Sequence, residues 1–231
     1  RFLDDFKPII VIGKGGFGSV CEALNLADKN VYAVKRIGIP KRKVQQVLKE
    51  ARVMAKFDHP NIVRYFGTWI ERPPSGWQVC CFFMEKSFFF LHFMHTKIIH
   101  LFPVKLCSHS LEDWLESNRK DRDFDQIKSW FIQIVEAVAY IHERNVIHRD
   151  LKPSNILFDI NGQIRVCDLG IASELGKVDE TQTRTCDIGT LLYQSPEQNQ
   201  KFWMYSFKVA VFTLGLIYAE LCVSMSRDER I

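Results

Sequence analysis

The stretch IIVIGKGGFGSVCEAL, Ile9 to Leu24, permits few folds. Gly13, Gly15 and Gly18 stand as GxGxxG between two apolar runs. A dinucleotide-binding turn needs a helix directly after the glycines. Here SVCEAL reads as a strand, so the glycines mark a hairpin whose backbone could lie over phosphates. A plain hairpin carries the same spacing, and further residues must decide between the two.

The next strand is NVYAVKRIGI, rich in β-branched residues, with Lys35 between apolar neighbours. Val44, Val47, Leu48, Ala51, Met54 and Ala55 then recur at helical spacing, predicting an amphipathic helix over about 41–56. Glu50 lies on it, fifteen residues after Lys35. A Lys35–Glu50 pair would hold the ammonium toward a phosphate; a surface lysine and a solvated glutamate are the alternative. NIVRYFGTWIE reads as strand again and RPPSG as a turn. The first third is thus a β-rich unit with one helix.

Helical patterns follow. SLED at Ser110–Asp113 has the form of a capping box opening a short helix. Ile127, Phe131, Ile134, Val135, Val138 and Ile141 predict a long helix over about 125–143. SFKVAVFTLGLIYAEL predicts an apolar helix buried on most sides.

Between those helices lies IHRDLKPSN, which gathers Asp150, Lys152 and Asn155 in one short loop. The carboxylate can orient a hydroxyl and accept its proton, the lysine can neutralise a moving phosphoryl group, and the amide can ligate a metal ion. Asp168 of DLG follows as a second metal ligand, and SPE stands at 195–197.

Composition limits the alternatives. Of 231 residues 47% are hydrophobic and 25% charged, a balance that supports a buried core. The net charge of +4 is too mild to argue for nucleic acid, and Lys41-Arg42-Lys43 reads as a solvated helix start. Seven cysteines form no CxxC pair, and RFLDDFKPII is no signal peptide, so a reduced cytoplasmic setting is expected.

Taken in order, GKGGFGSV, YAVK, Glu50, HRDLKPSN, DLG and SPE resemble the eukaryotic protein kinases, and LKPSN resembles their serine/threonine branch. The resemblance implies an α+β, two-lobed fold, with an antiparallel β N-lobe carrying one helix and a mainly α-helical C-lobe that ends early here. It implies ATP and Mg2+ as cofactors. Ile12, Gly13, Lys14, Gly15, Gly16, Phe17, Gly18, Ser19, Val20, Ala33 and Leu157 would surround the nucleotide. Lys35 would hold its phosphates and pair with Glu50. Asp150 would be the catalytic base, assisted by Lys152, with Asn155 and Asp168 on magnesium.

DFKPIIVIGKGGFGSV, HPNIVRYFGTWIE and GTLLYQSPEQ are similar to the kinases of the alpha subunit of translation initiation factor two, which repress translation under stress. WIERPPSGWQ leans toward the branch that answers endoplasmic-reticulum stress, whose kinase domain faces the cytosol while the parent is membrane-anchored. That family forms homodimers through the N-lobe, and Arg1, Asp5 and Tyr65 match the residues used. Thr185 and Thr190 match its phosphorylation positions; Thr181 and Thr183 are less clearly placed. Arg149 would be the counter-ion of a phosphorylated activation segment.

Several features depart from the family. Leu169 replaces the commoner phenylalanine of the metal-binding triplet. Ala210 stands where the family has an aspartate that hydrogen-bonds the catalytic loop. The chain stops at Ile231, so Glu197 would lack its usual arginine partner. An ATP-binding or dimerisation module without full activity therefore stands beside the active kinase as a second expectation.

The segment SFFFLHFMHTKIIHLF, Ser87 to Phe102, adds a question of register. It is too short and too polar to span a membrane, and His92, His95 and His100 lack further ligands for a metal. The preferred reading takes QVCCFFME as the last N-lobe strand, with Met84 as gatekeeper and Glu85 as first hinge residue. The other takes FPVKLC, with Val104 as gatekeeper. The first gives an N-lobe of about 1–85, an insertion of about 86–107 and a partial C-lobe of about 108–231, the insertion being either specific to a lineage or translated non-coding sequence.

Overall fold

A computed structural model describes residues 2–15, 18–40, 44–71, 97–105, 107–118, 122–168, 173–174, 192–196 and 207–224. The chain forms two compact units, one of Arg1–Lys56 with Arg64–Leu106, the other of Phe57–Val63 with Cys107–Ile231.

The first unit opens with a one-turn helix α1 (Phe2–Asp5) and holds strands β1 (Phe6–Gly15), β2 (Gly18–Asn25), β3 (Val31–Pro40), β4 (Trp69–Glu71) and β5 (Lys97–Lys105). All pair antiparallel, in the order β1-β2-β3-β5-β4. Helix α2 (Val44–Met54) follows β3. Alternation sends Cys21, Ala23 and Val34 to one face, where they are buried with Phe2 and Phe6. Phe6 stacks on Phe2 and on Trp69, each at 5.7 Å. Glu71 ties the cluster down, its Oε2 accepting from Phe2 N at 3.1 Å and Trp69 Nε1 at 3.2 Å.

β1 is bulged. Its register to β2 slips between Pro8 and Ile10 and again between Val11 and Gly13. Pro8 has no N–H to give a ladder, and a slip beside it on this edge strand costs little.

The strand beside β3 is Lys97–Lys105, so FPVK belongs to the sheet. The tail of the unusual aromatic segment is thus part of the first unit, which extends to Leu106. QVCCFFME, with Met84 and Glu85, lies outside the described residues. The run NIVRYFGTWIE is only partly strand. Val63 N donates to Val166 O and Val166 N to Asn61 O, so Ile62 bridges to the second unit's β9 and regular pairing resumes only at Trp69.

The second unit contains β6 (His109–Ser110), α3 (Leu111–Ser117), α4 (Phe124–Glu143), β7 (Val146–Ile147), a 3-10 turn (Pro153–Asn155), β8 (Ile156–Phe158), β9 (Ile164–Val166), β10 (Ser173–Glu174) and α5 (Lys208–Cys222). The expected capping box forms: Ser110 Oγ accepts from Asp113 N at 3.1 Å and Asp113 Oδ2 accepts from Ser110 N at 2.8 Å. Asp123 caps α4 through the amides of Asp125 and Gln126. Ile127, Ile134, Ala137, Val138 and Ile141 form its buried stripe.

Helix α5 departs from expectation. It is apolar nearly all round, yet only Val209, Ala210, Thr213, Ile217, Glu220 and Leu221 are buried, while Val211 is 64% and Tyr218 44% exposed. Burial follows the stripe that meets the loops of this unit, and hydropathy does not report which side that is. No helix among the described residues is long and apolar enough to cross a membrane.

Candidate active site

The first unit places its candidate residues by strand register. Val20 sits opposite Gly13 on one side and opposite Lys35 on the other. With the two-residue strand period, Val20, Ala33 and Lys35 share the face opposite Cys21, Ala23 and Val34. The ladder continues into β5, where Phe102 pairs with Lys35 and Val104 with Ala33. Gly15 pairs with Gly18 and closes the hairpin, whose tip, Gly16 and Phe17, lies outside the described residues. A Cβ at Gly13 would meet Val20 at 3.8 Å, an ordinary contact, so crowding from its neighbours does not demand glycine there. Ile12 is 47% exposed. Ser19 pairs with Arg36 and with Lys14, whose side chain lies outside the described residues. Glu50 lies on α2, its side chain also outside them.

The second unit uses a polar network. β7 delivers the chain to His148, which is buried. Asp150 N donates to His148 Nδ1 at 3.3 Å, so the ring proton sits on Nε2, which donates to Cys167 O at 2.9 Å. Burial holds this imidazole below its usual pKa, which suits a ring used once as acceptor and once as donor. Arg149 has φ 65°, and this left-handed residue turns the chain sharply between His148 and Asp150.

Asp150 is held at one oxygen. Its Oδ2 receives Lys152 Nζ at 3.1 Å and Asn155 Nδ2 at 3.0 Å. Its Oδ1 is buried and has no hydrogen-bond partner among the described residues. Asn155 Nδ2 also donates to Asp150 O at 2.7 Å. Both amide protons are spent on Asp150, and Oδ1 of Asn155 is left as the acceptor suited to a hard cation. Cys167 N donates to Asn155 O at 2.9 Å, which brings Asp168 (φ 59°) alongside Asn155. Leu157 lies on β8, paired with Ser110 and Arg165.

A chain with this sheet order, hairpin and loop can be set beside known proteins. The protein kinase domain family matches residues 6–227. The chain belongs to that family. This kinase domain is 34% identical over 235 residues to an interferon-induced, double-stranded RNA-activated protein kinase of Rattus norvegicus, covering 96% of this chain and 41% of that protein. The corresponding Mus musculus protein is 34% identical over 232 residues, covering 96% and 40%. The eIF-2-alpha kinase GCN2 of Arabidopsis thaliana is 29% identical over 255 residues, covering 96% and 20%. The kinase domain thus spans less than half the length of these relatives.

Arg1, Thr181, Thr183, Thr185, Thr190, Leu169 and Glu197 lie outside the described residues. Asp5 is on α1, its carbonyl accepting from Leu26 N at 2.8 Å, and burial raises the Tyr65 phenol pKa. Sequence reasoning missed the residues that tie α5 to the segment before SPE. Thr213 Oγ1 donates to Tyr193 O at 2.8 Å, and Tyr193 Oη donates to Glu220 at 2.8 Å. Thr213 and Glu220 are two polar residues seven apart in an apolar helix, a spacing that puts both on one face and could have flagged them.

Proposed function

We propose that this domain is an ATP- and magnesium-dependent protein serine/threonine kinase whose substrate is the alpha subunit of translation initiation factor two. The observation that carries the reading is the state of Asp150: one carboxylate oxygen is fixed by Lys152 and Asn155, and the other is buried and unclaimed. That is the arrangement of a base prepared for a hydroxyl. The name of the Arabidopsis thaliana relative supports the choice of substrate.

In this reading Asp150 Oδ1 orients the substrate hydroxyl and takes its proton. Lys152 stays beside the carboxylate and neutralises charge on the phosphoryl group. Asn155 Oδ1 and the Asp168 carboxylate would hold magnesium, which when bound neutralises the charge of the phosphates. Lys35, paired with Glu50, would hold the phosphates of ATP. The glycine hairpin, with Ile12 to Val20, would cover the nucleotide, and Ala33 and Leu157 would flank the adenine. In the register that FPVKLC takes, Val104, opposite Ala33 in the ladder, would be the gatekeeper. Phosphorylation of Thr185 would engage Arg149, and Thr190 would shape the substrate groove. The domain would work in the cytoplasm as a homodimer through Arg1, Asp5 and Tyr65.

A second reading, a kinase-like module without full activity, is supported by a pocket beside Ala210 at the base of the catalytic loop. Transfer of labelled phosphate to the initiation-factor subunit, with Asp150→Asn as control, decides between them. ATP with magnesium that raises the melting temperature without any transfer supports the module.

A further inference from the structure

The segment Phe57–Val63 belongs to the second unit, and a turn within it joins that unit's β9 to α4. His59 O accepts from Ile62 N at 3.1 Å, closing a turn whose second residue, Pro60, has the fixed φ such a turn wants. Asn61, inside the turn, is 6% exposed. Its carbonyl accepts from Val166 N at 2.8 Å, and its Nδ2 donates to Gln133 Oε1 of α4 at 3.0 Å and to Ile164 O at 3.1 Å. Val63 N donates to Val166 O at 2.9 Å, so the turn pairs with β9 two residues before Asp168.

The remaining polar group of Asn61, its own amide, is given to a titratable atom. Asn61 N donates to His59 Nδ1 at 3.1 Å, so that nitrogen carries no proton. His59 is half-buried, and solvent reaches it. Its ring lies 4.7 Å from that of Tyr140, whose Oη accepts from Asp58 N at 3.1 Å.

Charged groups surround this ring from every element packed on it. Asp58 is its chain neighbour, Glu136, Glu143 and Arg144 come from α4 and its cap, and Arg165 comes from β9. Arg144 covers the Tyr140 ring at 3.3 Å. Arg165 donates to Pro60 O and pairs with Asp159 at 2.8 Å. A cationic His59 would therefore stand near two guanidiniums, one of which holds the same turn. Burial lowers the His59 pKa; Glu136 and Glu143 pull it up, and Arg144 and Arg165 push it down.

We propose that this turn is a pH-sensitive joint: a proton taken up from solvent at His59 Nδ1 removes the acceptor of the Asn61 amide and releases the turn from β9 beside Asp168. In the imidazolium both ring nitrogens are donors, so the buried amide is left facing an N–H. The open turn frees the ring to water. It binds the proton more readily than the closed turn does. The closed form is therefore complete above the free imidazole value of about 6.5 and is lost as pH falls below it.

The experiment compares the full chain with its His59→Asn variant. Asparagine offers an acceptor to the amide two residues on, as in an Asx-turn, and does not titrate. Protection of the Asn61, Val63 and Val166 amides, corrected for the intrinsic pH dependence of exchange, is measured at pH 7.5 and pH 5.5. In the full chain it should fall roughly three- to tenfold at the lower pH, and the α4 amides of Ile134 to Val138 should not follow. In His59→Asn it should hold. An equal fall in both proteins overturns the joint, and so does a fall that spreads equally over α4. If the variant does not fold, the His59 imidazole titration in the full chain, followed by NMR, decides: its midpoint should coincide with the loss of protection, and separate midpoints overturn the joint. Transfer at pH 5.5 relative to pH 7.5 should be roughly twofold or more higher in His59→Asn than in the full chain. Only this last arm rests on the kinase reading; the expected exchange with no transfer from either protein keeps the joint and removes that reading.

Discussion

Lys35 is placed by backbone pairing, with Val20 opposite it on one strand and Phe102 on the other. Asp150 is placed by side chains: Lys152 and Asn155 on one oxygen, and His148 on its amide. A ladder fixes a residue's position whatever its side chain is. A polar network depends on each of its members, because removing one leaves the others buried and unsatisfied. Chemistry and stability should therefore separate at Lys35 and be coupled at the loop.

The largest effect should come from Asp150→Asn, which removes the base and is expected to lower phosphate transfer by about 10³-fold or more. Radiolabelled transfer at saturating ATP measures it, and a loss below tenfold would deny Asp150 its role. Lys35→Ala should lower transfer by roughly 10²-fold or more while leaving the denaturation midpoint nearly unchanged. A marked drop in that midpoint would break the contrast between ladder and network.

Asn155→Ala should do both kinds of damage. It removes the two bonds to Asp150 and the proposed magnesium ligand, so urea titration should show a loss of about 1–3 kcal/mol. The magnesium concentration for half-maximal transfer should rise alongside. Tyr193→Phe deletes only the hydroxyl that bonds Glu220, leaving a buried carboxylate short of a donor, and should cost about 1 kcal/mol or somewhat more.

The smallest effect is a pH slope. Burial lowers the pKa of His142 and of His148, so the unfolded chain binds these protons more readily than the folded one. Stability is complete above the unfolded histidine value of about 6.5 and is lost as pH falls below it toward the folded values. Denaturation midpoints from pH 7.5 to pH 5 should show the fall. His142→Phe, which keeps an aromatic ring against Phe207, should reduce the slope. An equally steep slope in that variant would mean that His142 contributes nothing to it.

Much of the site was legible in the residues. The glycines, Lys35, Asp150, Asn155 and Asp168 announce themselves because phosphate chemistry demands particular groups at short spacings. The SLED cap was legible for a similar reason, since a capping box is complete within four residues. The strand beside β3 was not. Two apolar runs, one ending at Met84 and one at Lys105, suit a buried strand equally well in the sequence, and pairing with β3 and β4 is what places the second of them in the sheet. Asn61 to Val63 likewise alternate like a strand, yet their backbone partner is Val166, more than a hundred residues away.

The sequence by itself determined the family, the polar groups of the catalytic loop and the helices with a clear apolar stripe, because each is encoded over a few consecutive residues. Tertiary structure alone decided that Lys97–Lys105 lies beside β3 in the sheet, that α5 buries one side and exposes Val211 and Tyr218, and that Ala210 faces the catalytic loop across a pocket. Those outcomes depend on which distant segment supplies backbone partners and apolar cover, and no local pattern records that.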